Sequence, residues 1–267
     1  MENLIILKLG GSSITKKAEG KYEMNESILK KSVSQISQAL KEKPKTKLIL
    51  ICGVGPFGHS NVVKYDLNNG IKTKEQEEGV EITIKDCNFV ASEVTSALEK
   101  EKVKTEHIPG YAVCKQDGRK VVSFDVTPYE QALEKGLVPV TTGMMVKDKS
   151  LKWSAMSGDA AIAQITKQLR PEKVIIGTDV DGIFTADPKE DKKATLIKEI
   201  TKTNLKSVLE KASKSKAVDV TGGMKGKLEK LAETLNGTPC EIFNLFTEAN
   251  LKKAVLGEKI TSTKLKI

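Results

Sequence analysis

The chain has 267 residues, 39% of them hydrophobic and 30% charged, which is the profile of a globular protein long enough to bury a substantial core. No apolar run approaches the roughly 18 residues of a membrane-spanning helix. The four cysteines form no CxxC pair, so neither a zinc or redox site nor a disulfide framework is expected.

The formal charge of +9 raises the alternative of nucleic-acid binding. However, the lysines are interleaved with acidic residues and only 4% of the residues are aromatic, which leaves few platforms for stacking bases. The favoured interpretation is a solvated basic surface whose field attracts anionic substrates.

The first predicted element is a buried strand over Leu4–Leu9, an apolar run that ends at two glycines. It lacks the basic leader of a signal peptide, so a cytoplasmic location is expected. Three further apolar runs, at residues 48–52, 137–140 and 174–176, are each followed by a loop rich in Gly, Thr or Asp. Purely apolar runs are typical of strands buried on both faces of a parallel sheet.

Helical patterns separate these runs. Asn25 is the predicted N-cap of the first helix, and residues 75–102 fit a long helix that breaks at Gly79. Alternating strands and helices predict an α/β sandwich with a mostly parallel central sheet, in which ligands bind at the carboxyl ends of the strands. The lysine-dense segment 181–216 is interpreted as an excursion that flanks a nucleotide site. Shorter helices are predicted at residues 127–136, 159–169 and 224–235.

Every Gly-rich loop would then lie at one edge of the sheet, and the first is Lys8-Leu9-Gly10-Gly11-Ser12. Two glycines after a strand let backbone N–H groups approach an anion, and a lysine there stabilises a phosphoryl group during transfer. Lys16 and Lys17 follow closely enough to reach the same place. The alternative is a simple Gly-Gly turn with surface lysines.

The second loop, Gly-Val-Gly-Pro-Phe-Gly-His at residues 53–59, also offers N–H groups to a phosphate. It is not a P-loop, because no Gly-Lys-Ser/Thr follows. His59 ends this loop at the expected ligand edge, so a binding role and a structural role are both open. His107 has no such setting and is interpreted as structural.

Three more segments have the same character. Ser-Gly-Asp at residues 157–159 starts a predicted helix and is either a simple cap or part of an anion site. Residues 177–182 place two aspartates beyond a buried strand, where they orient a lysine, bind magnesium-bound water or form an Asx turn. Residues 219–227 combine Gly222-Gly223 with Lys227 at a helix start, which suits nucleotide phosphates. Five such loops favour phosphoryl transfer, which depends on positioning and on charge neutralisation.

These segments resemble the amino acid kinase superfamily in order and spacing, over nearly the whole chain. The resemblance rests on residues 8–12, 177–182 and 219–224. Within the superfamily the sequence is most similar to archaeal isopentenyl phosphate kinases, which share Phe57-Gly58-His59 and the Ser-Gly-Asp of residues 157–159. Fosfomycin-phosphorylating kinases have a similar histidine loop.

The resemblance implies an open αβα sandwich that acts as a homodimer and uses ATP with Mg2+, and it assigns no residue as a metal ligand. One domain would hold the acceptor in residues 1–170 and ATP in residues 171–267, with neither nucleic acid nor membrane as a partner. The transferring phosphate would be held by the catalytic residues Lys8, Lys17 and Lys227, with His59 on the acceptor. The acceptor phosphate would be bound by Gly53, Val54, His59 and Gly158. ATP would be surrounded by Lys8, Gly10, Gly11, Ser12, Gly55, Asp179, Asp181, Phe184, Gly223 and Lys227.

The leading prediction is therefore ATP-dependent phosphorylation of isopentenyl phosphate to isopentenyl diphosphate. Two departures bear on the acceptor: Pro56 lacks an N–H for phosphate, and Met144 stands where the family often has aspartate. Residues 60–120, which would form much of the pocket for the acceptor's tail, match poorly. Another small alkyl phosphate or a phosphonate of the fosfomycin type remains an alternative acceptor, and a non-catalytic nucleotide sensor is a further alternative. Six apolar residues of the predicted long helix either line a pocket for a prenyl tail or belong to the ordinary core: Val80, Ile82, Ile84, Phe89, Val90 and Val94.

Overall fold

A central sheet of eight strands organises the computed structural model. Its strands lie in the order β12-β14-β13-β11-β1-β4-β8-β5. The eight are β1 (Leu4–Leu9), β4 (Lys47–Cys52), β5 (Thr105–His107), β8 (Val138–Thr142), β11 (Lys173–Thr178), β12 (Glu199–Thr201), β13 (Cys240–Asn244) and β14 (Ser262–Lys266). The structure describes residues 2–18, 21–186, 188, 191–212, 231–235 and 237–267.

Two smaller sheets accompany it. A two-stranded hairpin is formed by β2 (Thr15–Ala18) and β3 (Lys21–Met24). A four-stranded sheet in the order β10-β9-β6-β7 is formed by β6 (Cys114–Asp117), β7 (Lys120–Phe124), β9 (Met144–Asp148) and β10 (Lys152–Met156).

The helices are α1 (Gly11–Ile14), α2 (Glu26–Glu42), α3 (Pro56–Lys64), α4 (Lys74–Lys100), α5 (Gly110–Val113), α6 (Thr127–Glu134), α7 (Gly158–Leu169), α8 (Leu205–Ala212) and α9 (Asn250–Leu256). Residues 231–235 are also helical. Among the helices within the described ranges, none combines the length and the apolar character needed to cross a membrane.

The central sheet is mostly parallel, as predicted. β1 pairs in parallel with β4 and β11, and within the described residues β13 and β14 are the only neighbours in this sheet that run antiparallel. Leu4, Ile5, Ile6 and Leu7 are each at most 4% exposed. Because successive residues of a strand point to opposite faces, this burial means that both faces of the sheet are covered, and the α/β sandwich is confirmed.

One local prediction was wrong. α4 runs without a break through Gly79, where an added Cβ atom would lie 2.5 Å from Cγ of Tyr65, so this glycine makes room for a ring. Asn25 occupies the N-cap position of α2, as predicted, although its side chain makes no cap bond and instead donates to the carbonyl oxygen of Ser13 at 3.0 Å.

The segment after β11 stays attached to the main sheet. Phe184 and Leu196 form an antiparallel bridge, and β12 then pairs in parallel with β14 at the edge of the sheet. The described part of this segment therefore contributes a strand to the edge of the main sheet, and its place beside a nucleotide site stays a prediction.

Candidate active site

The loops after three neighbouring strands meet at the carboxyl edge of the sheet. The N–H of Gly10, after β1, donates to the carbonyl oxygen of Gly177 in β11 at 2.8 Å, and the N–H of Gly53, after β4, donates to Leu9 at 2.8 Å. Strand pairing therefore continues into the loops and holds them side by side.

The first two loops touch through their backbones. A Cβ atom on Gly11 would lie 2.5 Å from N of Gly55, and one on Gly53 would lie 2.2 Å from N of Gly11. No side chain fits between the loops, which explains why both positions are glycine. Gly55 also has a φ of +51°, a conformation that glycine adopts without strain.

Lys8 points from β1 toward the start of α7. Its Nζ atom lies 2.5 Å from Oδ1 of Asp159, and the two side chains are 16% and 25% exposed. The N-terminus of α7 is closed by Ser157, whose hydroxyl accepts from the N–H of Ala160 at 3.1 Å. Ser157 therefore caps the helix, which leaves the carboxylate of Asp159 to pair with Lys8.

Gly158 lies beside the same lysine. A Cβ atom at Gly158 would contact Cγ2 of Ile51 at 3.2 Å and Cε of Lys8 at 3.9 Å. Gly143, after β8, approaches N of Gly158 so closely that its own Cβ atom would lie 2.8 Å away. The loop after β8 and the N-terminus of α7 thus border the candidate site on the β4 side. The N-terminus of a helix favours a bound anion.

His59 lies in the first turns of α3, where its N–H donates to the carbonyl oxygen of Gly55 at 3.1 Å. The residue is exposed, yet part of its ring is desolvated by the surrounding loop. This desolvation and the positive charge of Lys8 lower the pKa of His59, while Asp159 opposes the shift. His59 therefore lies within electrostatic reach of the Lys8–Asp159 pair and is neutral at pH 7 when no anion is bound.

The unusual residues of the loop at 53–59, Pro56 and Val54, are explained by their local structural roles. Pro56 is the first residue of α3, a position where an N–H has no partner within the helix and proline is favourable. Val54 is 8% exposed, and a Cβ atom on Gly58 would lie 2.5 Å from its Cγ2. The Val54 side chain therefore supports α3 from below, and only its backbone faces the loop.

The aspartates after β11 lie on the other side of Gly10. The hydroxyl of Ser12 donates to Oδ1 of Asp179 at 3.2 Å, and Asn244 donates to Oδ1 of Asp181 at 3.1 Å. Phe184, half-buried, follows at the bridge to Leu196.

The structure brings together most of the predicted site residues. Gly158 lies beside Lys8, and the glycines of the first two loops contact each other at the same ends of the strands. His59 lies close enough to Lys8 and Asp159 for both charges to shift its pKa. Lys17 lies in β2 opposite Tyr22, and the role of its side chain stays a prediction. Gly223 and Lys227 lie outside the described residues.

Sequence reasoning missed two residues at this edge. The sequence places Asp159 in a segment that is either a cap or part of an anion site, but it does not predict the ion pair, because the partner Lys8 is 151 positions away. Asn244 lies at the end of β13 and was not singled out. Each had a signal in the sequence. Asp159 lies at the start of a helix and Asn244 at the carboxyl end of a strand, which are the positions where polar groups of α/β proteins bind ligands.

A parallel sheet with glycine loops and a paired lysine at the carboxyl ends of its strands is an arrangement in which α/β proteins bind nucleotides and phosphates. The family model described as "Amino acid kinase family" matches residues 3–244. The chain therefore belongs to the amino acid kinase family and is a kinase; the kinases of this family use ATP.

The similarity extends over the full length of several relatives. An isopentenyl phosphate kinase of Methanothermobacter thermautotrophicus is 33% identical over 269 residues, which cover 98% of each chain. A uridylate kinase of Rhodococcus jostii is 26% identical over 96% of this chain and 92% of its own. A solved isopentenyl phosphate kinase superposes with a TM-score of 0.82 at 29% identity, covering 98% of this chain and 99% of the other.

Proposed function

We propose that the chain transfers the γ-phosphate of ATP to isopentenyl phosphate and forms isopentenyl diphosphate. An oxygen of the acceptor's phosphate attacks the γ-phosphorus, a new P–O bond forms, and the bond from the γ-phosphorus to the β,γ-bridging oxygen breaks to release ADP. The observation that carries the proposal is the placement of His59 beside the Lys8–Asp159 pair. The names of the full-length relatives support the same acceptor.

His59 supplies what a phosphorylated acceptor needs. A neutral imidazole donates one hydrogen bond to a phosphate oxygen, and it gains a charge if the bound anion raises its pKa. The adjacent N-terminus of α7 adds a favourable dipole. An acceptor that carries a negative charge next to the attacking oxygen is held by these groups.

Lys8 would follow the phosphoryl group during transfer. Its ammonium neutralises charge that develops on the equatorial oxygens. The carboxylate of Asp159, 2.5 Å away, holds the ammonium toward the edge of the sheet rather than into solvent. We assign Asp159 a positioning role that acts through Lys8.

ATP would lie on the β11 side, against Gly10, Gly11, Ser12 and the aspartates after β11, with residues 171–267 supplying most of the contacts. Mg2+ would enter with ATP, bound chiefly by phosphate oxygens, as is usual for this ion. Among the described residues no group of three or more His, Cys, Asp or Glu side chains is arranged to hold a metal. Asp179 and Asp181 fit an ion that keeps most of its water, because each is one carboxylate beside an amide or a hydroxyl.

An apolar surface on α3 and α4 favours an alkyl acceptor. Phe57 contacts Tyr22 with ring centroids 5.9 Å apart and Phe89 at 5.6 Å, and Phe89 is 44% exposed. Ile82, on the same helix, is also exposed at 39%. These side chains are available to a short hydrocarbon tail. Val80, Val90 and Val94 are at most 2% exposed and belong to the core.

An acceptor panel tests the proposal. The protein is incubated with Mg-ATP and isopentenyl phosphate, a shorter alkyl phosphate, fosfomycin or uridine monophosphate, and ADP release is measured. We expect the highest kcat/KM for isopentenyl phosphate and a new diphosphate signal in phosphorus NMR. A higher kcat/KM for fosfomycin or for uridine monophosphate would refute isopentenyl phosphate as the acceptor. ATP binding without turnover of any acceptor would favour a nucleotide sensor.

The same preparation tests the assembly. A homodimer is proposed from the resemblance, and sedimentation at assay concentration measures it directly. A monomer with full turnover would refute the dimer while leaving the reaction intact.

A further inference from the structure

A groove of about 770 Å³ lies at the opposite ends of the strands from the candidate active site. It is bounded by the end of α2, the end of α6 and the residues at the starts of β4, β5 and β8. These are the amino-terminal ends of the strands, whereas the candidate active site lies at their carboxyl ends. β4 spans the distance with six residues, which is about 20 Å. The groove is therefore separate from the site described above.

The floor of the groove is apolar. Leu40 and Leu137 are only half-buried there, so they present hydrocarbon surface that no described residue covers completely. The fully buried part of the floor consists of Leu48, Val103, Leu133 and Val138.

The rim of the groove is strongly basic. In the described part of the chain no Asp or Glu lines it, and none of its five lysines forms an ion pair. Nearby carboxylates have other partners: Glu42 pairs with Lys252 at 2.5 Å, and Glu99 accepts from Thr105. The five are Lys41, Lys45, Lys47, Lys102 and Lys104.

We propose that this groove binds a small soluble amphipathic anion, one with a phosphate head and a short apolar tail. Like charges around a concave apolar wall focus a positive potential, and an anion relieves their mutual repulsion. The tail would lie on Leu40 and Leu137 while the head meets the lysines. The volume is in the range of about 300–1,000 Å³ that small-molecule sites occupy.

The lining argues for a small molecule rather than for a nucleic acid or a membrane. Of the described residues that line the groove, none is Phe, Tyr or Trp, so they offer no platform for stacking bases. The apolar residues form the floor of a concavity and do not protrude, as residues that insert into a lipid surface do.

Methyl NMR of the full chain tests the inference with a defined probe, hexyl phosphate. We expect saturable shifts of the Leu40 and Leu137 methyl groups, which report on the groove and not on the acceptor site. Lys47→Gln with Lys102→Gln should weaken this binding about tenfold, the loss expected from two charge-assisted contacts. The matched control is Lys30→Gln with Lys31→Gln, which removes the same charge from exposed positions elsewhere on α2 and should leave binding unchanged.

Further arms separate the head from the tail. Hexanol and inorganic phosphate should each bind far more weakly than hexyl phosphate. Equal weakening by the control pair would overturn the inference in favour of a diffuse field, as would the absence of saturable shifts. Stronger binding of single-stranded DNA or of anionic phospholipid vesicles, abolished by the groove substitutions, would overturn it in favour of those partners. Turnover is measured separately, so failure of the acceptor panel and failure of this titration are distinguishable.

Discussion

The two histidines of the chain occupy different chemical settings. His59 lies within electrostatic reach of the Lys8–Asp159 pair, whereas His107 lies in β5 with a buried Nε2 atom for which the described residues provide no partner. We expect His59→Ala to lower kcat/KM for a phosphorylated acceptor about 100-fold or more, because a hydrogen bond to a charged group is lost. Thermal unfolding should change little. His107→Ala is the matched control and should keep near-normal turnover; a fully active His59→Ala enzyme would refute the assignment.

The protonation of His59 should depend on the acceptor. Desolvation and Lys8 hold its pKa below the usual 6.5 in the free protein, and a nearby phosphate raises it. Binding therefore takes up a proton, and acceptor affinity should rise as the pH falls from the bound-state pKa toward the free-state pKa. Below about pH 6 the phosphate itself gains a proton and the trend reverses.

NMR titration of the histidine ring protons with and without acceptor measures this effect. His107 serves as the internal reference, because its pKa is lowered by desolvation alone and should not respond. A His59 pKa that is the same in both titrations would contradict the proposed contact.

The positioning role proposed for Asp159 can be tested separately from that of His59. Asp159→Asn keeps the shape of the side chain but removes the charge paired with Lys8, so we expect kcat to fall about 10- to 100-fold. Stability should change by less than about 1 kcal/mol, since both groups are partly exposed. Ser157→Ala is the control: loss of the α7 cap costs about 1 kcal/mol but leaves the ion pair. Steady-state kinetics and urea unfolding of both variants separate the two roles, and undiminished kcat in Asp159→Asn would contradict the positioning role.

At the scale of the elements, one carboxylate joins two hairpins of the four-stranded sheet. Asp148 is 4% exposed and accepts hydrogen bonds from the N–H groups of Gly118, Arg119, Ser150 and Leu151 and from the hydroxyl of Ser154. Burial alone would raise its pKa, but the hydrogen bonds lower it to about 2. β10 continues directly into Ser157 and α7, so this junction supports the candidate site from outside.

Asp148→Asn should therefore lower the free energy of unfolding by about 2 kcal/mol at pH 7. A folded-state pKa below the unfolded value means that the contribution is present above about pH 4 and is lost as the pH falls toward about 2. The difference between wild type and variant should shrink over that range in urea unfolding. Asp117→Asn, in the neighbouring β6–β7 hairpin, is the control and should cost less; an equal loss in both variants would contradict the special role of Asp148.

The elements also mark the limit of what the sequence predicts. Runs such as residues 48–52 were predictable because burial on both faces demands uninterrupted apolar residues, and the glycines after them because backbones approach closely there. The Lys8–Asp159 pair and the contact of Gly79 with Tyr65 depend on tertiary neighbours that no local pattern contains. The start of α4 could have been predicted from the sequence. Thr73 and Gln76 form a capping box, which follows the Ser/Thr-x-x-Glu/Gln pattern found at the starts of helices.

For the whole molecule, topology rather than local pattern determines the site. Leu9, Cys52, Thr142 and Thr178 end adjacent parallel strands, so loops more than 100 residues apart meet at one edge. A sequence can predict that these loops share an edge as soon as the sheet is known to be parallel. It cannot predict which charged side chains pair across that edge, because this depends on strand order and on the angle at which α7 leaves β10.

The charge of the whole chain gives the last prediction. With a net charge of +9, the protein should attract ATP and the proposed phosphorylated acceptor from a distance, and salt screens that attraction over a Debye length of about 10 Å at 0.1 M. We expect kcat/KM to fall several-fold between about 10 mM and 300 mM potassium chloride, while kcat changes little because the ion pairs at the reacting groups are partly buried. Steady-state kinetics at constant free Mg2+ measures both, with sucrose as a neutral control for viscosity. A kcat that falls in parallel with kcat/KM would instead locate the salt effect in the Lys8–Asp159 pair itself.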